Sequence, residues 1–284
     1  MNIKKKVAFL LIRNKLKLLS LISKRLAGKA AFKVFCTPFP AANNNKNIIF
    51  NSGESLEFTV NNALVKGFRF NQGGIRRLLI LHGFSSSCRN FHWYIQAFIQ
   101  NNYEVLAFDA PAHGASSGKQ VNALDYSHMI QEANRLYGPF DGYLAHSFGG
   151  MAVSLALEQI AHDENTKLAL IAPATETISA IDDAFVLLGL KSERIKTALK
   201  DEIFALSGQN AEWFSIRRAI KNIKADTLWI HDKDDDVTPL RDALKVKEDA
   251  PSNVRFVITS TLGHRKIYRD EAVKKQVIDF FQWK

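Results

Sequence analysis

A serine hydroxyl becomes a useful nucleophile at neutral pH only when a base takes its proton and an acid orients that base. Three places in this 284-residue chain offer such groups. Ser147 lies in Ala145-His146-Ser147-Phe148-Gly149-Gly150, after the apolar run Gly142-Tyr143-Leu144-Ala145 and just before a helical stretch over 151–160. His264 lies in Leu262-Gly263-His264-Arg265. Asp232, Asp234, Asp235 and Asp236 crowd the segment between them. A nucleophile at a sharp strand-to-helix turn needs small neighbours, because the turn strains its backbone and presses it against nearby main chain. The motif for such a turn is Gly-x-Ser-x-Gly; Ala145 takes its first place and Gly149 its last. The chemistry these groups could perform is acyl transfer through a serine ester.

Elements that could hold these groups recur along the chain. Apolar strands are expected at 78–81, 105–108, 142–145, 168–171, 228–231 and 254–258, with helices near 90–100 and 122–136 between them. Strands alternating with helices argue for a mostly parallel sheet covered on both faces. Residues 56–60 and 64–70, joined by Asn61-Asn62, read as an antiparallel hairpin that opens the sheet. A polar run over 43–47 reads as a linker. From Pro173 to Ala225 the periodicity stays helical, with helices expected over 178–190, 193–206 and 211–223.

The order of the motifs is a His82-Gly83-Phe84 loop, the serine, the acids and the histidine, each just past the end of an expected strand. This order resembles the α/β-hydrolase superfamily over roughly residues 47–284. The resemblance implies an α/β fold, a mostly parallel doubly wound sheet with a small helical lid at about 174–224. It implies Ser147 as nucleophile and His264 as base. Aligning His231 and Pro239 with the family pattern His-Gly-x-x-Asp-x-x-Val-Pro makes Asp235 the favoured acid, with Asp234 next. Asp232 then stands where glycine is usual, Thr238 replaces an apolar residue, and the surplus acids read as solvated or capping. The backbone N–H groups of Phe148 and Phe84 would form the oxyanion hole. His82 and His113 would brace backbone, and Asp109 would bind loop amides. His146 is expected to point elsewhere. Phe185, Leu187, Leu188, Phe204, Trp213 and Phe214 could wall an acyl pocket, although apolar residues at helical spacing more often pack their own helices.

The implied activity is hydrolysis of a small-molecule carboxylic ester or thioester through an acyl-enzyme, with no cofactor and no metal. A serine in place of aspartate at the elbow argues against dehalogenase chemistry on the same layout. An acyltransferase, a lyase using the same triad, and a binding protein that kept the fold remain as alternatives.

Charge is distributed unevenly. The formal net charge is +10, and residues 1–35 hold ten basic residues and no acid. On a helical wheel Leu11, Ile12, Leu18, Leu19, Ile22 and Leu26 share one side, and Lys6, Arg13, Lys17 and Lys24 the other. Contact with an anionic membrane surface and packing against the rest of the chain both fit this arm; nucleic acid fits poorly, for want of interleaved aromatics. The domain plan is therefore a basic arm over 1–35 and a hydrolase domain over 36–284. Val7 to Ile12 is short for a signal-peptide core, and Arg13 interrupts it. Two distant cysteines, Cys36 and Cys88, make no disulfide framework. A cytoplasmic location is the expectation, peripheral on the inner membrane surface if the arm binds lipid.

Overall fold

The computed structural model describes residues 3–39, 47–249 and 251–283, with side chains from Lys6 onward. Of the expected linker, only Asn47 lies among the described residues. Two helices come first, α1 (Ile3–Ile22) and α2 (Lys24–Cys36). Ser23 parts them, and its hydroxyl accepts the Leu26 N–H to cap α2. The hairpin β1 (Glu54–Val60) and β2 (Ala63–Phe70) follows. Asn61 and Asn62 both take positive φ, 48° and 63°, as a two-residue primed turn requires.

The chain then alternates: β3 (Arg77–Leu81), α3 (His92–Gln100), β4 (Glu104–Asp109), α4 (Ala123–Tyr137), β5 (Gly142–His146), α5 (Phe148–Leu157) and β6 (Lys167–Ile171). Next come α6 (Thr177–Leu188), α7 (Glu193–Ser207) and the short α8 (Ile216–Ala219). The last stretch is β7 (Asp226–Asp232), α9 (Leu240–Glu248), β8 (Val254–Thr259), the one-turn α10 (Gly263–Lys266) and α11 (Glu271–Phe280). The strands form one eight-stranded sheet in the order β1-β2-β4-β3-β5-β6-β7-β8. The pairs β1–β2 and β2–β4 are antiparallel, and every later pair is parallel. Winding reverses at β3, which lies between β4 and β5. A crevice beyond the strand ends at such a reversal is where open α/β sheets bind ligands.

Continuous apolar runs make the central strands. All of β4 and β5 is buried, as is all of β3 and β6 but the first residue, the pattern of a parallel sheet covered on both faces. In α5 (FGGMAVSLAL) every residue after Phe148 is buried. A Cβ on Gly149 would stand 2.8 Å from the carbonyl oxygens of Leu81 and His82, so glycine lets α5 start hard against the end of β3. Asn122 and Asp125 close a capping box at the start of α4.

Contacts divide the chain into two units, Pro38–Thr175 with Ile216–Lys284, and Met1–Thr37 with Glu176–Ser215. The first holds the sheet. In the second, α2 packs along α7, and α1 packs on α2, α6 and α7. A Cβ on Gly28 would lie 2.3 Å from the Ala198 carbonyl oxygen, so α2 and α7 meet main chain to main chain. Lys24 pairs with Asp201 at 2.6 Å, and Arg194 Nε donates to the Ser20 carbonyl at 2.9 Å.

The single helix expected over 211–223 is a difference. The structure has a 3₁₀ turn at Ala211–Trp213, α8, and a second 3₁₀ turn at Ile220–Asn222. The chain leaves the helical unit here, and Ser215 forms an antiparallel bridge with Glu176. That bridge requires extended backbone in mid-segment, which interrupts helical hydrogen bonding despite the apolar periodicity.

Candidate active site

Ser147 caps α5 with φ 55° and ψ −121°. A non-glycine residue rarely adopts this conformation, and the surrounding structure must hold it there. The Ser147 N–H donates to the Ile171 carbonyl at 3.1 Å, and its own carbonyl accepts from Ala174 at 3.0 Å. The side chain makes no capping bond to α5. Its Oγ lies 2.9 Å from His264 Nε2, and His264 Nδ1 lies 2.8 Å from Asp235 Oδ2. The structure thus brings Ser147, His264 and Asp235, all buried, into one hydrogen-bonded line.

The loop after β7 shapes the acid end. Asp235 Oδ1 accepts the N–H groups of Val237 and Thr238 at 2.9 and 2.8 Å. Burial alone would raise this carboxyl, but the hydrogen bond and charge of His264 and these two amides outweigh it and hold the group below its ordinary range. Asp234 stands apart: it is exposed, and its Oδ2 accepts the Thr261 N–H at 2.7 Å. Asp236 is exposed.

Asp232 is neither solvated nor a plain cap. It is fully buried, and its Oδ1 accepts the N–H groups of Asp234 and Gly263, both at 3.0 Å. Its Oδ2 accepts from Leu262 N–H at 3.2 Å and from the Thr259 hydroxyl at 2.6 Å. One carboxylate therefore ties the end of β7 to the residues immediately before His264. Burial pushes its pKa up, and these donors more than reverse the push. Thr238 is a second residue whose place was not legible. Its hydroxyl lies 3.1 Å from His264 Nδ1, 2.9 Å from Asp235 Oδ2 and 3.1 Å from the Ala172 carbonyl. The departures from the family pattern at both positions were the available signal.

Four other histidines serve backbone. His82 Nδ1 donates to the Gly83 carbonyl at 2.8 Å while Nε2 accepts from Ala110 N–H at 2.9 Å. His113 Nδ1 donates to the Pro111 carbonyl, and its Nε2 accepts from Ser85 N–H. His231 Nε2 donates to the Thr238 carbonyl at 2.7 Å. His146 does not point away from the site: its Nε2 donates to the His264 carbonyl at 3.1 Å. Burial lowers all four, His113 to about 4 and His146 to about 3, so each stays a neutral brace. Asp109 binds the amides of Cys88 and Ala115, as expected for this turn.

Phe148 opens α5, where the first N–H groups of a helix have no intrahelical acceptor. The loop after β3 passes close by, since a Cβ on Gly83 would lie 2.9 Å from the Ser147 Cβ. The rings of Phe84 and Phe148 meet edge to face at 5.6 Å. Of the residues considered for an acyl pocket, Phe185 and Phe214 are buried, Leu188 and Trp213 half-buried, and Leu187 and Phe204 exposed.

Residues 75–209 match the family model described as "Serine aminopeptidase, S33". No curated protein matches in sequence. An esterase from Pyrococcus furiosus has a similar structure: 19% identity over 86% of this chain and 96% of that one, TM-score 0.64. A structure titled a membrane phospholipase A, a bacterial virulence factor, shares 18% identity over 81% of this chain and 86% of its own, TM-score 0.60. A CIB-like hydrolase from Thermoplasma acidophilum shares 16% over 80% and 97%, TM-score 0.56. These likenesses at low identity speak for the fold. With the strand order, the motif order and the family match over residues 75–209, they give this chain the fold of the α/β hydrolases.

Proposed function

We propose that the protein is a serine hydrolase that cleaves a carboxylic ester or thioester through an acyl-enzyme. The observation that carries this reading is the line from Asp235 through His264 to Ser147. In the proposed cycle Ser147 Oγ bonds to the acyl carbon as its proton passes to His264 Nε2. The carbonyl oxygen becomes an oxyanion, held by the N–H groups of Phe148 and Phe84. A single donor of this kind is worth on the order of 10²–10³ in kcat. Collapse breaks the bond to the leaving alcohol or thiol, which takes the proton from Nε2. Water then gives a proton to the same nitrogen, attacks the acyl-enzyme and releases the acid, and the proton returns to Ser147. Asp235, held as a carboxylate, keeps Nδ1 protonated and stabilises the imidazolium. An esterase and a phospholipase A among the structures of similar fold support an ester as the first substrate to try.

A series of p-nitrophenyl esters of increasing acyl length, with fluorophosphonate labelling beside it, tests the reading. Wild type is expected to label and to turn over at least the short esters. Ser147→Ala should do neither while melting at the wild-type temperature. Undiminished turnover by the folded variant would end the acyl-enzyme proposal. Wild type that neither labels nor cleaves any ester would leave the fold to a binding role.

A further inference from the structure

Helix α1 packs through one side and leaves an apolar stripe on the other. Among its described residues, Leu16 and Ser20 are the buried ones. Leu18, two residues from each, faces the opposite way on a 3.6-residue helix. Leu11, Leu18 and Ile22, at i, i+7 and i+11, form one stripe, and they are 63%, 60% and 68% exposed. Val7 extends the stripe, and Leu21, 83% exposed, lies beside it. Packing of the helix therefore occupies a different side from the apolar stripe. Arg13, assigned to the polar side by the wheel, is half-buried and lies against the turn at Gly189.

Basic residues share the exposed surface of this helix with the stripe. Lys15 lies beside it, about 40° round the helix from Leu11, and Lys17 and Lys6 lie about 120° and 140° round in the other direction, all exposed. Helix α2 adds Arg25, Lys29 and Lys33, also exposed. No acid occurs before Glu54. On α6, against which α1 packs, Val186 and Leu187 are exposed as well.

We infer that the outward face of α1 docks on an anionic lipid surface, lying in the interface plane with Leu11, Leu18 and Ile22 in the acyl boundary and the lysines among the headgroups. Two observations choose this occupant over a second copy of the chain. Ten basic residues with no acid would repel an identical arm across a symmetric interface. Lys15 beside the stripe and Lys17 and Lys6 further round the helix have long stems that can carry their charges up to headgroups while the stripe lies flat. Among the described residues no helix is long and apolar enough to cross a membrane.

Sedimentation of the full-length protein tests this inference, with vesicles of equal parts phosphatidylglycerol and phosphatidylcholine and with phosphatidylcholine alone. The protein should pellet with the anionic vesicles, stay in solution with the neutral ones, and be released as salt rises. Removing each lysine should lower partitioning about fivefold, so Lys6→Ala, Lys15→Ala and Lys17→Ala together should lower it on the order of a hundredfold. Leu11→Ser, Leu18→Ser and Ile22→Ser combined should abolish pelleting. These residues are exposed, and unchanged thermal melting of both variants would show that folding is intact. Equal binding to neutral vesicles, no binding by folded wild type, or undiminished binding by both variants overturns the inference. A concentration-dependent dimer lost in the leucine variant, without vesicle binding, would assign the stripe to a second copy instead.

Discussion

The two units of this chain use their side chains in opposite ways. In the sheet unit the polar groups go inside: His82, Asp109, His146, Asp232, Asp235 and His264 are all buried and all hydrogen-bonded. In the helical unit only Ser20 and Ser215 are buried polar residues among those described, and large apolar side chains stand exposed on α1, α2, α6 and α7. A buried polar group is costly unless its partners are in place, so the first arrangement requires exact geometry, which chemistry can use. An exposed apolar stripe needs no such precision and pays its cost only in water, which suits a surface that meets another phase.

The comparison can be broken first at the acid. Asp235→Asn should lower kcat on the order of 10⁴, by the behaviour of a buried triad aspartate. Asp234→Asn should change it little, because that side chain is exposed and contacts a loop amide. The reverse outcome in ester kinetics would move the acid by one residue. Next is the clamp: Asp232→Ala leaves the Leu262 and Gly263 amides without their acceptor and frees the approach to His264. A misplacement of about 1 Å costs about 10² in rate. The loss should appear in kcat more than in KM, with a lower melting temperature, and wild-type values of both would show that the loop holds itself.

The sheet unit should also be the acid-sensitive one, since every histidine lies in it and none in the helical unit. His82, His113, His146 and His231 have folded pKa values depressed by burial. In the unfolded chain they take up protons near pH 6.5. The unfolded state then binds more protons, so stability is fully present above that pH and is lost as pH falls towards the folded values. The urea midpoint should drop between about pH 7 and pH 5; a flat midpoint would contradict the neutral braces. Thr238→Val removes the hydroxyl beside His264 Nδ1 and keeps the shape. A net hydrogen bond of about 1 kcal/mol sets the expected loss at about fivefold in kcat. The smallest effect belongs to the other unit: Leu18→Ser should leave turnover of a short soluble ester unchanged, and a large loss would mean that the stripe serves the chemistry.

What the amino-acid order determined by itself is local. Ser147 was legible because an apolar strand, small residues and an apolar helix meet within a dozen positions. His264 and the acid run were legible because each follows its own strand. The hairpin was legible because Asn61-Asn62 suits a primed turn. What only the tertiary structure decided depends on partners far along the chain. Asp232 became a clamp because Leu262 and Gly263 come to it from the end of the neighbouring strand. Residues 211–223 broke into short turns because Ser215 pairs with Glu176. Periodicity reports that one side of α1 is apolar, but not which side its neighbours will cover. Burial is a property of the folded neighbourhood, and here α2, α6 and α7 cover the side with Leu16 and Ser20 and leave Leu11, Leu18 and Ile22 open.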